Sequence, residues 1–328
     1  MSPLSRSVLR CFTTTTAQRS STTITPQIAE AAANGLLQKS LPSIRDWISP
    51  QPSHLLSLTL SPYLRTTIPR SSPPVTGELP PGHHLVYFPP QLPEELLLHD
   101  GSDAEQSPGP QWPRRMWAGG SITYSSYPAN RLQFLDVAVL KERVESVQVR
   151  DDKLFVWFER AMHRMPDSGA EPAITERRCL VFLPPREPGT RQPPPQLLKP
   201  KNTTDFCETF HPTGHLLMRF SALTFNAHRI HFDTPFSVGE EGYRANLCHG
   251  PLAVAFLLGL LKRELGDGKR VKNFEYRCLA PMYVNERYKI AGRKMEDGRF
   301  ELWAETPEGG YSVKGIAEVE EDAGENAL

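Results

Sequence analysis

The chain has 328 residues, enough for one large domain or two of ordinary size. Lys plus Arg and Asp plus Glu are equal at 37 each, so the net charge is zero and gives no support for a nucleic-acid-binding surface. The five cysteines are scattered and form no CxxC pair, which argues against a disulfide framework or a thiolate zinc site and fits a reducing compartment.

Residues 1–29 differ in composition from the rest of the chain. They contain Arg6, Arg10 and Arg19 with many Ser and Thr, and the first acidic residue is Glu30. An Arg-rich, Ser-rich and acid-poor N-terminus without a continuous apolar core is typical of an organelle transit peptide. The sequence therefore predicts a transit peptide over 1–29 and a location in the mitochondrial matrix. A disordered N-terminus without a targeting role is the alternative.

Proline-rich stretches divide the remainder of the chain. Proline fixes φ and removes an amide donor, so such stretches predict loops or linkers. They lie at 69–82, 101–113 and 184–196, and the third is near the middle. We therefore expect an N-terminal half over 30–183, a linker over 184–199, a C-terminal half over 200–320 and an acidic tail over 321–328.

The two halves share a faint internal similarity. KERVESVQVRDDKLFVWFE, from Lys141, can be laid beside NERYKIAGRKMEDGRFELWAE, from Asn285. Both stretches alternate, turn at an acidic or Asp-Gly site and continue into a second strand that contains Trp157 or Trp303. Alternation on both sides of such a turn predicts a β-hairpin in each half, and the repetition favours a duplicated fold.

The C-terminal half has the clearest pattern. HPTGHLLMRFSAL predicts a short helix with Thr213 as its N-cap, and HGPLAVAFLLGLLKRELGDG predicts a longer helix with Pro251 in its first turn. The run 252–261 is apolar on every face but too short to span a bilayer, which needs ~20 apolar residues, so this helix is expected to be buried. Strands are expected at about 271–279, 283–293, 299–306 and 311–319.

Between the two helices lies FNAHRIHFD, residues 225–233, which is open to three interpretations. His228, His231 and Asp233 could bind a metal ion, although their spacing lacks a regular helical face and no distant ligand stands out. The stretch could be a polar loop whose side chains hydrogen-bond to the backbone. It could also be an acid/base site, because the buried helix that follows presents free amides and a partial positive charge at its N-terminus.

An acid/base site of this kind suits proton abstraction next to a carbonyl group. A histidine, with an ordinary pKa of ~6.5, can accept and return a proton near neutral pH. The helix amides can stabilise an oxygen that gains negative charge during the reaction.

The residues of this region resemble the MaoC-like group of hotdog-fold dehydratases and hydratases, and more closely the fungal mitochondrial 3-hydroxyacyl-thioester dehydratases of type 2. The resemblance covers about 205–320 well, through SALTFNAHRIHFD and HGPL. It extends more loosely to RRMWAGGSITY in the first half. It implies an α+β double hotdog, in which two antiparallel sheets each wrap a central buried helix. The N-terminal hotdog is expected to be catalytically silent, because it lacks the Asn/His loop.

The resemblance also implies roles for particular residues. His231 falls on the catalytic histidine of the group, five residues after a position that is Asp in the wider group and Asn226 here. It would move the proton at the α-carbon or on the departing hydroxyl group, and the resemblance does not decide whether it handles both. Asn226 would orient the hydroxyl group or water, with an Asx-turn as its alternative role. The amide of Gly250 would polarise the thioester carbonyl, and close backbone approach is the alternative reason for a glycine there. His249 and Arg229 are further candidates for substrate binding. For His228, Arg229 and Asp233, holding the loop is the favoured interpretation.

The implied reaction is reversible dehydration of (3R)-3-hydroxyacyl thioesters to trans-2-enoyl thioesters in mitochondrial type II fatty acid synthesis. The substrate would be carried on CoA or on acyl carrier protein, which is an expected partner. No metal, nicotinamide or flavin cofactor is implied, nor is nucleic acid or a membrane span, and the chain would act as a pseudo-dimeric monomer or as a homodimer. The alternatives are a mesaconyl- or itaconyl-type acyl-CoA hydratase and a non-catalytic acyl-thioester-binding protein.

Overall fold

The computed structural model describes residues 24–166, 171–187 and 189–322. Most of the predicted transit peptide and of the predicted acidic tail lies outside the described residues. The predicted end of the transit peptide at residue 29 falls inside a helix, α1, which spans Pro26–Leu37 and buries Ala29 against the sheet. Thr25 caps this helix by accepting a hydrogen bond from the amide of Ile28. Residues 26–29 thus belong to the folded part of the chain.

The described residues form three further α-helices and ten strands. The helices are α2 (Pro50–Leu64), α3 (Gly214–Thr224) and α4 (Gly250–Leu265). The strands of the N-terminal half are β1 (Ile44–Trp47), β2 (Arg114–Tyr124), β3 (Val137–Arg150), β4 (Lys153–Arg164) and β5 (Ile174–Leu183). Those of the C-terminal half are β6 (Phe206–Phe210), β7 (Lys269–Cys278), β8 (Tyr288–Lys294), β9 (Arg299–Glu305) and β10 (Tyr311–Glu321).

All ten strands belong to one antiparallel sheet in the order β1-β3-β4-β5-β2-β7-β10-β9-β8-β6. From the outer edge of the sheet to its middle, the N-terminal half has the order β1-β3-β4-β5-β2 and the C-terminal half the order β6-β8-β9-β10-β7. The two halves therefore arrange their five strands in the same way. The halves join where β2 pairs with β7, with Gly119 opposite Arg277 and Thr123 opposite Asn273. The predicted duplication is therefore present, and the two similar sequence stretches form the equivalent hairpins β3–β4 and β8–β9.

The C-terminal helices form as the sequence predicts. Thr213 accepts a hydrogen bond from the amide of Leu216 and begins α3. Pro251 lies in the first turn of α4, and Gly266 ends it. Nearly every side chain of α4 from Leu252 to Leu261 is buried, and each large apolar one contributes ~1.5–3 kcal/mol relative to exposure. This burial places α4 at the centre of the molecule.

The N-terminal half fills its share of the core differently. Its helix α2 packs against α3, α4 and the short 3-10 turn His83–Val86, all four residues of which are buried. The resulting apolar core is continuous between the two halves. The guanidinium group of Arg263 joins them further, because it donates to the carbonyl oxygen of Leu64 and to Glu208, both at 2.7 Å.

One strand begins later than expected. The stretch predicted as strand from 283 starts at Tyr288, because Asn285 adopts a left-handed conformation with φ 63° and the segment before it turns. In this turn the amide of Val284 donates a hydrogen bond to the carbonyl oxygen of Asn246, which holds the segment that leads into α4. None of the helices in the described ranges is long and apolar enough to cross a bilayer.

Candidate active site

The loop FNAHRIHFD connects α3 to the segment that precedes α4. Phe225 ends α3 with a left-handed φ of 51°, and a 3-10 turn covers Arg229–His231. Asp233 accepts hydrogen bonds from the amide of Phe236 and from the guanidinium group of Arg229. The loop is thus folded back on itself, with its two histidines buried.

His231 is held as a neutral base. Its Nδ1 lies 2.8 Å from the carbonyl oxygen of Leu247, so Nδ1 carries the proton and donates it. Nε2 has no hydrogen-bond partner among the described residues and keeps its lone pair. Burial, with a smaller effect from the charge of His228, lowers the pKa of His231 to about 3 against the opposing effect of the Leu247 hydrogen bond. The imidazole is therefore neutral at neutral pH, with its one proton on Nδ1, and Nε2 is able to accept a proton.

His249 packs directly behind His231. The two rings are stacked, and Nε2 of His249 lies 2.9 Å from the hydroxyl oxygen of Ser221 on α3. Burial, followed by the neighbouring histidines, keeps the pKa of His249 well below its usual value. His249 is thus a neutral, nearly inaccessible ring that fixes the position of His231, consistent with packing rather than with direct contact to a charged substrate group.

Asn226 forms the Asx-turn that was one of its two expected roles. Its Oδ1 accepts a hydrogen bond of 2.9 Å from the amide of His228. The side-chain amide group has no partner among the described residues, and Asn226 lines the central cavity. The contact supports a loop-shaping role, and the free Nδ2 donors leave the orienting role open to experiment.

His228 contacts a carboxylate that the sequence did not suggest. Its Nε2 lies 3.2 Å from Oδ2 of Asp100, which comes from the N-terminal half. Burial raises the pKa of the Asp100 carboxyl group, but the neighbouring His228, followed by the hydrogen bonds from Ser102, outweighs burial and keeps that pKa below its usual range. The carbonyl oxygen of Asp100 also accepts the amide of Arg229 at 2.8 Å.

The close contact of these two loops depends on Gly101. Its φ is +76°, and a Cβ atom built there would lie 2.0 Å from the carbonyl oxygen of Ala227. Only glycine allows this approach without displacement of one loop. In the sequence the stretch from 101 was interpreted as part of a proline-rich connector, so Asp100 was missed. The Asp-Gly-Ser turn at 100–102 was the one available signal, and it indicates a turn rather than a site.

Gly250 lies at the N-terminus of α4 and against Trp117 of β2. A Cβ atom at Gly250 would lie 2.9 Å from Cγ of Trp117, so close backbone approach is one reason for glycine here. The first amides of a helix have no intrahelical partners and carry a partial positive charge. The two expected roles of Gly250 are therefore compatible, because Trp117 packs beside an amide that can still donate.

Arg229 is engaged within the loop. Its guanidinium group pairs with Asp233 at 2.8 Å and lies over the ring of Phe236, 4.2 Å from the centroid. It also donates to the carbonyl oxygen of His99. These contacts support the loop-holding interpretation of Arg229 and Asp233, and the substrate-binding role of Arg229 remains a prediction.

The site opens into a cavity of about 1240 Å³ between the two halves. Both halves contribute to its lining, the C-terminal half through the Asn/His loop and the start of α4 and the N-terminal half through residues such as Tyr87, Arg115, Trp117 and Arg178. Most of the lining surface is apolar, as suits an acyl chain. Within the part of the chain that the structure describes, no group of three or more His, Cys, Asp and Glu side chains could hold a metal ion.

The arrangement combines a neutral buried base, a helix N-terminus and an apolar cavity. Such a set of groups can remove a proton next to a thioester carbonyl while amide donors stabilise the enolate-like oxygen. Asn226 and His228 line the same cavity, and the ring of His228 lies next to that of His231.

Solved structures similar to this one place the fold in a known class. A MaoC-like dehydratase from Phytophthora capsici aligns with a TM-score of 0.64 and 15% identity over 88% of this chain and 99% of that one. HtdX of Mycobacterium tuberculosis aligns with a TM-score of 0.57 and 13% identity over 84% of this chain and 99% of that one. The fold is that of the MaoC-like double-hotdog proteins, as predicted.

Similarity in sequence identifies the family. Residues 82–284 match the family hydroxyacyl-thioester dehydratase type 2, so the chain belongs to it. The mesaconyl-C(4)-CoA hydratase of Chloroflexus aurantiacus is 31% identical over 76% of this chain and 87% of its own length. The mitochondrial hydroxyacyl-thioester dehydratase type 2 of Schizosaccharomyces pombe is 26% identical over 75% of this chain and 88% of its own length. The prediction of an enzyme of the hydro-lyase class is confirmed.

Proposed function

We propose that the protein catalyses the reversible dehydration of (3R)-3-hydroxyacyl thioesters to trans-2-enoyl thioesters. The observation that carries the proposal is the position of His231. Its Nδ1 is bonded to the carbonyl oxygen of Leu247, and its Nε2 is free in a cavity that the N-terminus of α4 also lines. In this reaction Nε2 of His231 removes the α-proton, and the amide of Gly250 donates to the thioester oxygen. Asn226 orients the departing hydroxyl group through Nδ2.

The position of the base and of the amide donor explains why the reaction can proceed near neutral pH. The α-proton of a thioester is weakly acidic, and its removal leaves negative charge on the carbonyl oxygen. A helix N-terminus lowers the energy of that charge, and a neutral histidine accepts the proton without prior ionisation. Each of the two contributions is worth about two to three orders of magnitude in rate.

A hydration assay tests the proposal. The purified protein is given crotonyl-CoA and a long-chain trans-2-enoyl-CoA, and the loss of enoyl absorbance is followed before the stereochemistry of the product is determined. We expect a (3R)-hydroxyacyl product and a loss of about 100-fold or more in His231→Ala. Absence of hydration by the wild type, or full activity of His231→Ala, would contradict the assignment. Tight binding of enoyl-CoA without turnover would favour the non-catalytic alternative.

The cellular setting belongs to the same proposal. We infer a role in mitochondrial type II fatty acid synthesis, in the matrix, with acyl carrier protein as a substrate carrier. The composition of residues 1–29 supports it, as do two relatives that are named mitochondrial. Import of the full chain into isolated mitochondria, with and without residues 1–25, checks the location. Equal import of both forms would remove the targeting role.

A second candidate is a hydratase of short dicarboxylic acyl thioesters. It is favoured by the mesaconyl-C(4)-CoA hydratase relative and by Arg178, which lines the cavity beside Trp117. Nε of Arg178 donates to Glu176 at 2.6 Å, and its other guanidinium nitrogens have no hydrogen-bond partner among the described residues. Those nitrogens could bind a distal carboxylate at a short distance from the site.

Substrate comparison separates the two candidates. Under the second one, Arg178→Gln should lose activity toward mesaconyl-C(4)-CoA by about 10- to 100-fold, as expected for a lost charged hydrogen bond, and keep its activity toward crotonyl-CoA. Arg177→Gln is the matched control, because Arg177 pairs with Glu145 on the exposed side of the same strand. Equal loss on both substrates would assign Arg178 to the packing of Trp117.

A further inference from the structure

Dehydration of a 3-hydroxyacyl thioester requires two proton transfers. One transfer takes the proton from the α-carbon, and the other brings a proton to the hydroxyl oxygen as the bond from the β-carbon to that oxygen breaks. In the proposed function His231 provides a single free nitrogen, which takes the first proton. The carboxamide of Asn226 can donate hydrogen bonds but does not give up a proton at neutral pH. His231 can pass that same proton to the oxygen only after the proton has left the α-carbon, whereas a separate acid in the site would protonate the oxygen while its bond to the β-carbon breaks.

Most titratable groups around the loop are unsuited to this task. His249 is stacked behind His231, and its Nε2 is bonded to Ser221. Burial raises the pKa of both the Tyr243 hydroxyl and the Cys248 thiol, so that neither gives up its proton readily. Two further histidines line the cavity: His99, whose Nε2 contacts Glu240 at 3.1 Å, and His228, whose ring lies next to that of His231.

His228 has the geometry of a proton donor beside the base. Its ring lies edge-on to that of His231, with the centroids 5.5 Å apart, so the two rings border the same part of the cavity. Oδ2 of Asp100 lies 3.2 Å from Nε2, so a carboxylate faces one nitrogen of the ring and leaves Nδ1 for the substrate. The Asx-turn of Asn226 fixes the backbone of His228, and the amide of Ser102 holds the other carboxylate oxygen of Asp100 at 3.0 Å.

We propose that His228 is the second proton-transfer residue of the site and that Asp100, supplied by the N-terminal half, is its positioning residue. The inference rests on the proposed dehydratase function. It departs from the expectation that the N-terminal hotdog is catalytically silent. It also gives Asn226 a clear task, since its turn presents His228 to the cavity.

The protons and electrons balance in this scheme. Nε2 of His231 takes the α-proton, the electron pair of that bond forms the double bond between the α- and β-carbons, and the bond from the β-carbon to oxygen breaks toward oxygen. The protonated ring of His228, whose Nε2 faces Asp100, transfers the proton of its other nitrogen, Nδ1, to the departing oxygen, so water leaves. His231 then carries one proton and His228 lacks one, and exchange with solvent restores the starting state. Hydration runs through the same steps in reverse.

A substrate with a leaving group that needs no proton tests the role of His228. The full-length protein is assayed with (3R)-3-hydroxybutyryl-CoA and with (3R)-3-fluorobutyryl-CoA, which releases fluoride. The variants are His228→Gln, Asp100→Asn and His231→Gln, with His215→Gln as the control because His215 is an exposed histidine on α3. Formation of crotonyl-CoA is the readout in every case.

We expect His228→Gln to lose about 100-fold or more with the hydroxy substrate and less than about tenfold with the fluoro substrate. Asp100→Asn should show the same selectivity to a smaller degree, His231→Gln should fail with both substrates, and His215→Gln should resemble the wild type. Retained fluoride elimination also proves that the variant is folded. Equal losses on both substrates, or an unaffected His228→Gln, would overturn the inference, whereas an inactive wild type would instead refute the proposed function.

Discussion

The imidazole rings of His231 and His249 are stacked face to face, with centroids 3.6 Å apart and planes inclined by 18°. Because burial lowers the pKa of both rings, they stack as neutral groups without charge repulsion. One ring is fixed by Leu247 and the other by Ser221, on separate segments of the chain. The orientation of the base is therefore set from both its edge and its face.

Removal of the stacked ring should impair turnover more than binding. In His249→Ala we expect kcat to fall by about 10- to 100-fold with little change in KM, because a displaced base loses its alignment with the α-proton. His249→Phe retains an aromatic face and should recover part of the rate. Steady-state kinetics on crotonyl-CoA measures both constants. A His249→Ala variant as fast as the wild type would show that Leu247 alone positions His231.

The two roles of Asn226 can be separated by substitution. Asn226→Ala removes both the acceptor for the His228 amide and the free donors, so we expect a large loss of kcat. Asn226→Ser can still accept that amide in a serine turn but lacks the Nδ2 donors, and it should also be slow if those donors orient the hydroxyl group. Hydration kinetics of the two variants decides the matter. Near-normal activity of Asn226→Ser would leave Asn226 with the turn alone.

Gly101→Ala should damage the site through backbone contact. The left-handed conformation costs an alanine about 1–2 kcal/mol, and the added Cβ atom would also collide with Ala227. The matched control is Gly309→Ala, because Gly309 has φ +78° and nothing within 4 Å of the added atom. Thermal melting should show destabilisation in both variants, and the hydration rate should fall only in Gly101→Ala. Normal activity of that variant would mean that the loop of Asp100 can move freely.

Two glycines of α4 offer a similar comparison. In Gly250→Ala the Cβ atom would press on Trp117, so the start of the helix or the indole must shift, and we expect a lower kcat from a displaced amide. Gly259→Ala meets only the flexible end of Leu64 and gains helix propensity of up to ~1 kcal/mol. It should be active and at least as stable as the wild type. An equally active Gly250→Ala would argue against an oxyanion role for this amide.

Acid should destabilise the protein through its buried histidines. Burial lowers the pKa of His231 and His83 to about 3 and that of His84 to about 4. Between those values and ~6.5 the unfolded chain binds protons that the folded chain does not, so stability falls as pH decreases, by ~1.4 kcal/mol per pH unit for each such histidine. The melting temperature should drop between pH 6.5 and 4.5, and a flat profile would contradict the assignment.

A variant of His84 checks the source of this effect. Neither ring nitrogen of His84 has a hydrogen-bond partner among the described residues, although Nε2 lies 3.8 Å from Glu176. Replacement by a similar apolar side chain should therefore cost little at neutral pH. In His84→Leu we expect a shallower loss of stability with acid than in the wild type. An unchanged slope would assign the acid sensitivity to the other histidines.

The sequence was most informative where local pattern and burial agree. The all-round apolar run of α4, the cap at Thr213 and the alternating hairpins each have a local physical cause, and each predicted element is present. The pairing of β2 with β7 could be inferred only through resemblance, because no local pattern specifies which edges meet. The same holds for the continuous core in which α2 packs against α3 and α4.

The part of the site that comes from the C-terminal half could be predicted from the sequence, and the part that comes from the N-terminal half could not. FNAHRIHFD and HGP lie close together in the sequence, so His231, Asn226 and Gly250 could be grouped in advance. Asp100 approaches from a segment about 130 residues earlier, through a contact that a single glycine permits. Trp117 and Arg178 likewise come from strands of the other half. Contacts between distant segments leave no periodicity in one sequence, and for that reason they were missed.

The pairing of β2 with β7 also determines how the cavity assembles when the protein is dilute. Because both partners of this strand pair belong to one chain, the cavity between the halves forms by an intramolecular step. Its assembly does not depend on protein concentration, as it would if each half were a separate subunit. Each half is also free to change without the other, since no symmetry operation copies a substitution across the junction. One half can hold the Asn/His loop while the other provides only the residues that complete it.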